Sequence, residues 1–160
     1  MTATLSTIRD RIYTLIEGVT PTTLSADKLD RYRNEGGADF RAWAETNPTA
    51  CLRRFQVRDD GVDDGVETSD VQIDLRHVTI QIIVAYPQTG RYGEDQAMAR
   101  DKTIDQDYNA INYLVGIYGR GNFSSTHDCT PLGAPKDIER GDGVDFLVMN
   151  ARYSFYRSVT

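Results

Sequence analysis

Hydrophobic and polar residues alternate most regularly between Leu75 and Pro87. One set of alternate positions is apolar and the other is mainly polar, which is the period-2 pattern of a strand with one buried face. The apolar set is Val78, Ile80, Ile82 and Val84, and the other set is His77, Thr79, Gln81 and Ile83. Pro87 cannot donate to a sheet ladder and therefore ends the strand. The pattern predicts the central strand of an antiparallel sheet.

Two other segments alternate in the same way. Residues 51–58 predict a strand with Arg53, Phe55 and Val57 on one face. Residues 144–159 predict a long strand whose core face is formed by Leu147, Met149, Ala151, Tyr153 and Phe155. The opposite face of this last strand mixes polar and apolar residues, which favours cover by a neighbouring subunit. A shorter strand is predicted near residues 123–132.

Two segments have helical spacing instead. The first is capped by Thr4 or Ser6 and stops at Gly18, and its apolar stripe is Leu5, Ile8, Ile12, Leu15, Ile16 and Val19. The second begins near Ala99 and ends at Gly119, and its stripe is Ile104, Tyr108, Ile111, Val115 and Tyr118. Three aspartates, Asp101, Asp105 and Asp107, lie in its first turns. We interpret them as complementing the partial positive charge of the helix N-terminus and aiding solubility, not as metal ligands.

Two stretches without a clear period predict excursions from a single domain that spans residues 1–160. Residues 20–50 contain a short helical turn after Leu24, capped by Ser25, and an apolar cluster around Phe40 and Trp43. We interpret that cluster as packing that anchors the segment, not as a surface on which a ligand stacks. Residues 59–70 hold six acidic residues and two glycines, which predict a mobile loop or hairpin tip between two strands.

The order of these elements predicts an α+β fold. We expect a four-stranded antiparallel or mixed sheet with two helices packed on one face and the other face open. The open face is expected to carry Arg54, Gln56, His77, Gln81, Asn150 and Tyr156.

Composition narrows the function classes. The chain has 160 residues and a net charge of −6. This charge argues against tight binding to nucleic acid or to an anionic membrane surface, because both need a basic patch. The N-terminus has no signal-peptide pattern, and no run of eighteen apolar residues occurs, so we expect a soluble cytosolic product. The two cysteines, Cys51 and Cys129, are expected to be reduced, half-buried thiols.

None of the candidate motifs for metal binding, phosphate binding or nucleophilic catalysis has the residue spacing that its chemistry requires. A calcium loop counted from Asp59 has Asp64 at its sixth position, where a glycine is needed, and neither flank is helical. The glycine-rich run 116–122 closes a helix, whereas phosphate loops open one. His127 and Cys129 lack the further ligands of a zinc site, for which His77 and Cys51 are the other candidates, and their spacing suits a nucleophilic dyad only approximately. We therefore assign no catalytic, cofactor-binding or metal-binding residue and expect a protein that is not an enzyme.

The chain resembles the tail terminator proteins of long-tailed bacteriophages, the minor tail protein U type. The resemblance is carried by Ile8-x-x-x-Ile12-x-x-Leu15, the strand that closes on Pro87, the Asp-rich helix and the terminal strand from Phe146 to Tyr156. It covers most of the chain as a pattern of elements and a size, without a diagnostic motif. Residues 20–50 are longer than the resemblance leads us to expect.

The resemblance implies a structural virion protein that needs no cofactor. Such proteins form a ring, usually a homohexamer, which caps the head-proximal end of the tail tube, ends tube polymerisation and provides the head-tail joining surface. The implied partners are further copies of the chain, the tail tube protein and the head-tail connector or neck protein, with assembly in the host cytoplasm. DNA only passes through the lumen, and no membrane is involved.

The resemblance suggests two sets of residues as candidates, one for the subunit interface and one for the lining of the lumen. The subunit interface is expected to include Arg54, Gln81, Arg152 and Tyr156. The lumen is expected to be lined by Asp59, Asp60, Asp63 and Asp64, because like charge lets DNA slide without adhering.

Three alternatives stay open. A neck or head-completion (connector) protein would differ only in its docking partner. A small enzyme would use His127 with Cys129, or His77, in a shared pocket. A small cytosolic binding module would be a monomer with a ligand groove near Trp43 and Phe40.

Overall fold

The computed structural model of the chain describes residues 5–19, 28–33, 39–67, 73–89, 92, 96–126 and 129–158. At residues 5, 59–67, 73–76, 96, 124–126 and 156–158 it describes the backbone alone. The helices are α1 (Leu5–Ile16), α2 (Phe40–Thr46) and α3 (Gln96–Val115), and a 3₁₀ helix (Ile117–Thr126) follows α3. The strands are β1 (Asp30–Arg31), β2 (Arg54–Glu67), β3 (Ile73–Pro87), β4 (Cys129–Gly133), β5 (Lys136–Arg140) and β6 (Val144–Ser158).

The strands form one mixed sheet in the order β1-β2-β3-β6-β4, and β5 also pairs with β6. Strands β3 and β6 are antiparallel over their whole length, from Ile73 opposite Ser158 to Pro87 opposite Val144. Strand β1 runs parallel to β2, which makes the sheet mixed. The prediction that β3 is the central strand is confirmed, because it has β2 on one side and β6 on the other.

One face of the sheet is covered by α1, α3 and the 3₁₀ helix. The predicted stripe of α1 is buried at Ile8, Ile12 and Ile16, each 0% exposed. These helices pack against alternate residues of the three long strands, so the predicted faces of those strands are confirmed. The sheet side of this core consists of Phe55, Val57, Val78, Ile80, Ile82, Val84, Tyr86, Leu147, Met149, Ala151, Tyr153 and Phe155.

The α+β class is confirmed, but the expected count of four strands and two helices on one face is wrong. Helix α2 lies on the second face, where Phe40 and Ala44 are buried against Ile83 and Phe146. The physical reason is that the second face is itself apolar at this end, since Ile83, Ala85, Val144 and Val148 all lie on it and need cover. The packing role expected for Phe40 and Trp43 is confirmed.

Helix α3 ends at Val115, four residues before the predicted stop at Gly119. The chain tightens into the 3₁₀ helix there, and a Cβ added at Gly119 would lie 2.0 Å from the Leu114 carbonyl oxygen, so only glycine fits. Tyr118 is consequently 81% exposed and is not part of the core stripe. The helical turn predicted after Leu24 is wrong at Asp30–Arg31, which is strand β1, and its start lies outside the described residues.

The acidic segment is strand and not loop as far as Glu67. It continues β2 because β3 is long enough to offer a ladder partner, with Asp59 opposite Ile80 and Glu67 opposite Asp74. The ladder contains two irregularities, between Asp59 and Val62 and between Asp63 and Val66. Each spans one glycine, Gly61 or Gly65, and glycine is the residue that bulges tolerate best. Residues 68–70 of the predicted loop lie outside the described residues.

Candidate functional site

The second face of the sheet has a polar half beyond the reach of α2. We define the polar face by the side chains that alternate with the core residues there, namely Gln56, Arg58, His77, Thr79, Gln81, Asn150, Arg152 and Ser154. Both buried hydrophobic clusters of the described residues leave this half of the face uncovered. Arg58 and Arg152 are exposed there, and His77 is half-buried.

Two of the four predicted interface residues lie together on the polar face. Gln81 and Asn150 are directly opposite in register, and Gln81 Nε2 donates to Asn150 Oδ1 at 3.3 Å. Arg152 stands one row further along, opposite Thr79. Gln81 is only 9% exposed, and its Oε1 accepts no hydrogen bond from any described residue. Tyr156 pairs with Leu75 at the far end of β6, and its side chain lies outside the part of the chain that the structure describes.

The third predicted interface residue, Arg54, belongs to a different surface at the β1 edge of the sheet. Its Nη1 lies 3.1 Å from Asp30 Oδ2, and Arg31 Nη2 lies 3.2 Å from Glu17 Oε2. Arg33 Nη2 lies 3.6 Å from Glu17 Oε1 and 3.7 Å from Asp30 Oδ1. We call these five residues the arginine cluster. Three guanidinium groups share two carboxylates in it, so these five described residues together carry a net charge of +1.

The four predicted lumen residues lie on a single strand. Asp59, Asp60, Asp63 and Asp64 all belong to β2, with Asp59 opposite Ile80 and Asp63 opposite His77 in the backbone register. Only their backbone is described. The register places them along the edge strand beyond Arg54 and Phe55, the two residues of β2 that β1 pairs with.

The sequence interpretation missed a buried ion network between β2, β3 and α3. Arg53 Nε and Nη2 donate to Asp107 Oδ2 and Oδ1 at 2.9 and 2.7 Å, which is bidentate geometry. The Tyr86 hydroxyl donates to Asp107 Oδ2 at 2.6 Å. All three residues are 0% exposed. The expectation that Asp107 serves solubility and the helix N-terminus is therefore wrong.

The same network fixes the start of β2. Arg53 has φ of 57°, a left-handed backbone that costs a residue other than glycine about 1–3 kcal/mol. The backbone N–H of Arg53 donates to the Ala85 carbonyl at 2.9 Å, and its Nη2 donates to the Val19 carbonyl at 3.1 Å. These contacts hold the strained residue in place while its side chain joins three elements.

Burial and the neighbouring Asp107 carboxylate raise the pKa of Tyr86 well above its usual value. The hydroxyl therefore stays protonated and donates a hydrogen bond to the Asp107 carboxylate. Since all three side chains are shielded from water, the network has no access for a substrate and its role is to orient α3 on the sheet.

The ion pair between Arg53 and Asp107 could have been inferred from the sequence. Arg53 alternates with Phe55 and Val57 on the core face of its strand. Asp107 falls between Ile104 and Ile111 at helical spacing, so it lies on the core stripe of its helix. Two opposite charges at two core positions of different elements indicate a buried ion pair, because a lone buried charge is too costly.

A second buried carboxylate, that of Asp145, lies at the start of β6. Asp145 is 0% exposed, and its Oδ2 lies 2.7 Å from Arg140 Nη1 and 3.2 Å from Arg100 Nε. Its Oδ1 accepts a hydrogen bond from Gln88 Nε2 at 3.1 Å. Tyr92 is also buried there, and burial raises the pKa of its hydroxyl above the usual value. These contacts tie α3 to the ends of β3 and β6.

Neither cysteine forms a disulfide, as predicted, but both are buried and not half-buried. They belong to hydrophobic clusters on opposite faces of the sheet, Cys51 beneath α2 and Cys129 beneath the other helices. Burial raises the pKa of the Cys51 thiol to about 11, so it is protonated at neutral pH and unreactive. His127 lies outside the described residues. Within the described part of the chain, no three His, Cys, Asp or Glu residues are grouped closely enough to hold a metal ion.

A cleft opens between α3 and the edge strand β5. Its volume is about 290 Å³, and it is lined by Asp101, Ile104, Asp105, Ile138 and Arg140. Lys136 Nζ lies 3.4 Å from Asp105 Oδ1 at its margin. Elsewhere on the helical layer, the large side chains of Tyr113, Ile117 and Tyr118 are 67%, 53% and 81% exposed.

No protein-family model matches the chain, and no curated protein matches it. In the described ranges of the chain, no helix has both the length and the apolar character needed to cross a membrane.

Proposed function

We propose that this chain is a tail terminator protein of a long-tailed bacteriophage. In this role it is a structural virion protein, not an enzyme, and it acts without a cofactor. Copies of the chain form a ring, most simply a hexamer, that caps the head-proximal end of the tail tube and ends its polymerisation. The ring then offers the surface to which the filled head joins through its connector.

The observation that carries this proposal is the polar face. A sheet with helices on one side and an uncovered half on the other presents backbone and side-chain groups that a further protein surface can cover. Arg58 and Arg152 support this interpretation, because both side chains are exposed on this face and can donate to acceptors of a further protein surface.

The long edge of β2 supports self-assembly in a second way. Strand β1 covers only Arg54 and Phe55, so the rest of this 14-residue strand has no further strand beside it among the described residues. Edges of this length are normally protected. The aspartates and the bulges of β2 discourage two such edges from pairing with each other, and a ring with unlike contacts keeps them apart.

The acidic stretch of β2 fits the lumen of such a ring. Four aspartates within six residues give the strand a high negative charge density. A lumen with this charge repels the phosphate backbone and allows DNA to pass without binding.

Native mass measurement tests the proposal. We expect native mass spectrometry over a concentration series, with and without magnesium, to show a discrete assembly of about six copies of the 18.0 kDa chain. Negative-stain images of the same samples should show rings with an open centre. A chain that remains monomeric throughout the series contradicts ring formation and favours the small binding module. A compact dimer without a central opening contradicts the terminator role as well.

A further inference from the structure

We propose that Tyr13 caps the free edge of β2 at Val57 and closes it to strand addition by a second copy of this chain. The cap lies within one chain and does not depend on ring formation.

The backbone of β2 faces an open edge just beyond β1. The Tyr32 N–H donates to the Phe55 carbonyl at 2.9 Å, so the backbone groups of Phe55 point towards β1. Backbone groups of alternate residues in a strand point to the same edge, and those of Val57 therefore point the same way. Strand β1 ends at Arg31, opposite Phe55, and no further strand lies beside Val57 among the described residues.

The Tyr13 hydroxyl takes the place of the missing strand. The Val57 N–H donates to Tyr13 Oη at 2.9 Å, and Tyr13 Oη donates to the Val57 carbonyl oxygen at 3.2 Å. A residue of an antiparallel neighbour would make the same two contacts, because it accepts from the N–H and donates to the C=O of its partner. One hydroxyl can do both, since it has one donor and two acceptor lone pairs.

Two contacts hold the Tyr13 side chain at the edge. The centroids of the Tyr13 and Phe55 rings lie 5.5 Å apart, and Arg31 Cζ lies 4.2 Å from the centroid of the Tyr13 ring. Arg31 is held in turn by its ion pair with Glu17, one turn further along α1 and part of the arginine cluster. The phenol ring is therefore fixed between a strand residue and a guanidinium group, with its hydroxyl at the backbone of Val57.

The cap fills a gap between two other protections of the same edge. Strand β1 covers Arg54 and Phe55, and the aspartates and bulges of β2 begin at Asp59. Residues 56–58 have neither protection. Without the cap, Val57 would present an unpaired donor and acceptor next to β1, which is a template for pairing with a strand of a second copy.

Hydrogen exchange tests whether the hydroxyl protects the edge. The variant Tyr13→Phe removes the cap and keeps the ring. At low protein concentration we expect it to accelerate exchange of the Val57 amide about tenfold more than that of the Ile82 amide, which lies in the central strand and reports global unfolding. The variant Tyr113→Phe, which removes a hydroxyl from an exposed side chain of α3, is the matched control and should accelerate neither amide.

A concentration series tests what the cap excludes. We expect Tyr13→Phe, unlike Tyr113→Phe, to form species of higher mass than the unchanged chain at the same concentration, measured by native mass spectrometry. In these species exchange of the Val57 amide should slow again, because a strand of the second copy accepts from it. Circular dichroism verifies that all three chains are folded.

Each negative result overturns the cap. Equal acceleration of the Val57 and Ile82 amides in Tyr13→Phe would mean that the hydroxyl does not protect the edge. Masses equal to those of the unchanged chain, or larger species in which the Val57 amide still exchanges fast, would mean that the cap does not prevent strand addition. An unchanged chain that is monomeric at every concentration would contradict the proposed ring and leave the cap in place.

Discussion

Arg53 and Asp107 illustrate how a buried ion pair constrains single residues. A pair of this kind adds little stability compared with well-packed apolar residues, because both charges lose their hydration. Removing one partner is different, since the other charge then stays buried without compensation. The pair therefore acts as a geometric constraint: α3 can pack on the sheet only where Asp107 meets both Arg53 and Tyr86.

We predict that Asp107→Asn lowers the free energy of unfolding by about 3–5 kcal/mol, because it leaves the buried Arg53 guanidinium without a counter-charge. Urea denaturation followed by circular dichroism measures this loss. The matched control is Asp105→Asn on the same helix, whose carboxylate is 68% exposed and should change stability by less than about 1 kcal/mol. Equal losses in the two variants would show that the network does not constrain the fold.

Tyr86 provides a second test of the same network. Tyr86→Phe removes the hydroxyl that donates to Asp107, which should cost about 1.5–3 kcal/mol because the acceptor is charged. In the Asp107→Asn background the same substitution should cost clearly less, since the charged acceptor is gone. Additive losses in a double-mutant cycle measured by urea denaturation would contradict the coupling.

The raised pKa of the buried Cys51 thiol leads us to predict a loss of stability in alkaline solution. Its thiol has an ordinary pKa of 9.0 in the unfolded chain and a pKa of about 11 in the folded one. Between these values the unfolded chain releases the proton while the folded chain keeps it, so the folded state holds more protons and stability falls as pH rises. Each unit of pKa difference corresponds to about 1.4 kcal/mol.

We expect the variant Cys51→Ala to lose about 2 kcal/mol less than the unchanged chain between pH 9 and pH 11. Guanidinium denaturation at stepped pH measures the difference. Tyr86 and Tyr153, whose pKa values are also raised by burial, are present in both chains, so their contributions cancel. Parallel pH profiles would show that the Cys51 thiol does not titrate differently in the two states.

At the scale of elements, α2 determines how much of the second sheet face is open. Phe40 inserts between Tyr32 and Phe146, with ring centroids 5.1 and 6.3 Å away. Arg41 forms an ion pair with Glu139 of β5, which fixes the other side of the helix. The short helix thus closes the apolar end of this face and leaves the polar face to other partners.

We predict that Phe40→Ala lowers the free energy of unfolding by about 3–5 kcal/mol, because it creates a cavity beneath α2. Trp43 is the only tryptophan and packs beside Phe40, so its fluorescence emission should shift to longer wavelength in the folded variant as the helix loosens. Ala42→Ser on the exposed side of the same helix should change stability by less than about 0.5 kcal/mol. An unshifted spectrum for Phe40→Ala would mean that α2 docks without this anchor.

The elements that sequence patterns predicted well are those whose periodicity reflects one buried face. Helix α1 and strands β3 and β6 each show an unbroken alternation or stripe, so their core residues could be read directly. The position of α2 could not, because a seven-residue helix has too few turns to show which sheet face it covers. The strand character of residues 59–67 was hidden by aspartates and glycines, whose low strand preference is overcome by pairing with β3.

The candidate site was predicted in part. Alternation along β3 and β6 placed Gln81 and Arg152 on the same face, and the register brings them into neighbouring rows. Arg54 alternates with Phe55 onto the same side of the sheet as Gln56, as expected. Its ion pair with Asp30 at the β1 edge was not predicted, since Asp30 comes from a segment without a readable period. The pairing of Arg53 with Asp107 joins residues far apart in sequence, which local patterns do not report.

At the scale of the whole molecule, the net charge of −6 is distributed unevenly. The acidic stretch of β2 concentrates four aspartates, whereas the polar face and the β1 edge carry exposed or half-exposed arginines. We predict that in the proposed ring the acidic strands surround the centre. The proposed lumen can be tested by comparing how the ring binds linear and closed circular DNA.

We predict that a ring in which Asp59, Asp60, Asp63 and Asp64 are all replaced by Lys binds linear duplex DNA but not closed circular DNA of the same sequence. A preformed ring can thread only over a free end, and the new lysines then hold the phosphates in a salt-dependent way. Gel shift at low salt measures both, and native mass spectrometry first verifies that the ring persists.

The control replaces four exposed acidic residues outside β2 by Lys, which changes the net charge equally: Asp10, Glu45, Asp137 and Asp142. Lysines on the outer surface reach either form of DNA, so this variant should bind linear and circular molecules with similar affinity. If the β2 variant also binds both forms alike, its aspartates lie outside the ring and another strand lines the lumen. Selective binding of linear DNA would support a position of the β2 aspartates around the channel, because a closed ring can be threaded only over a free DNA end.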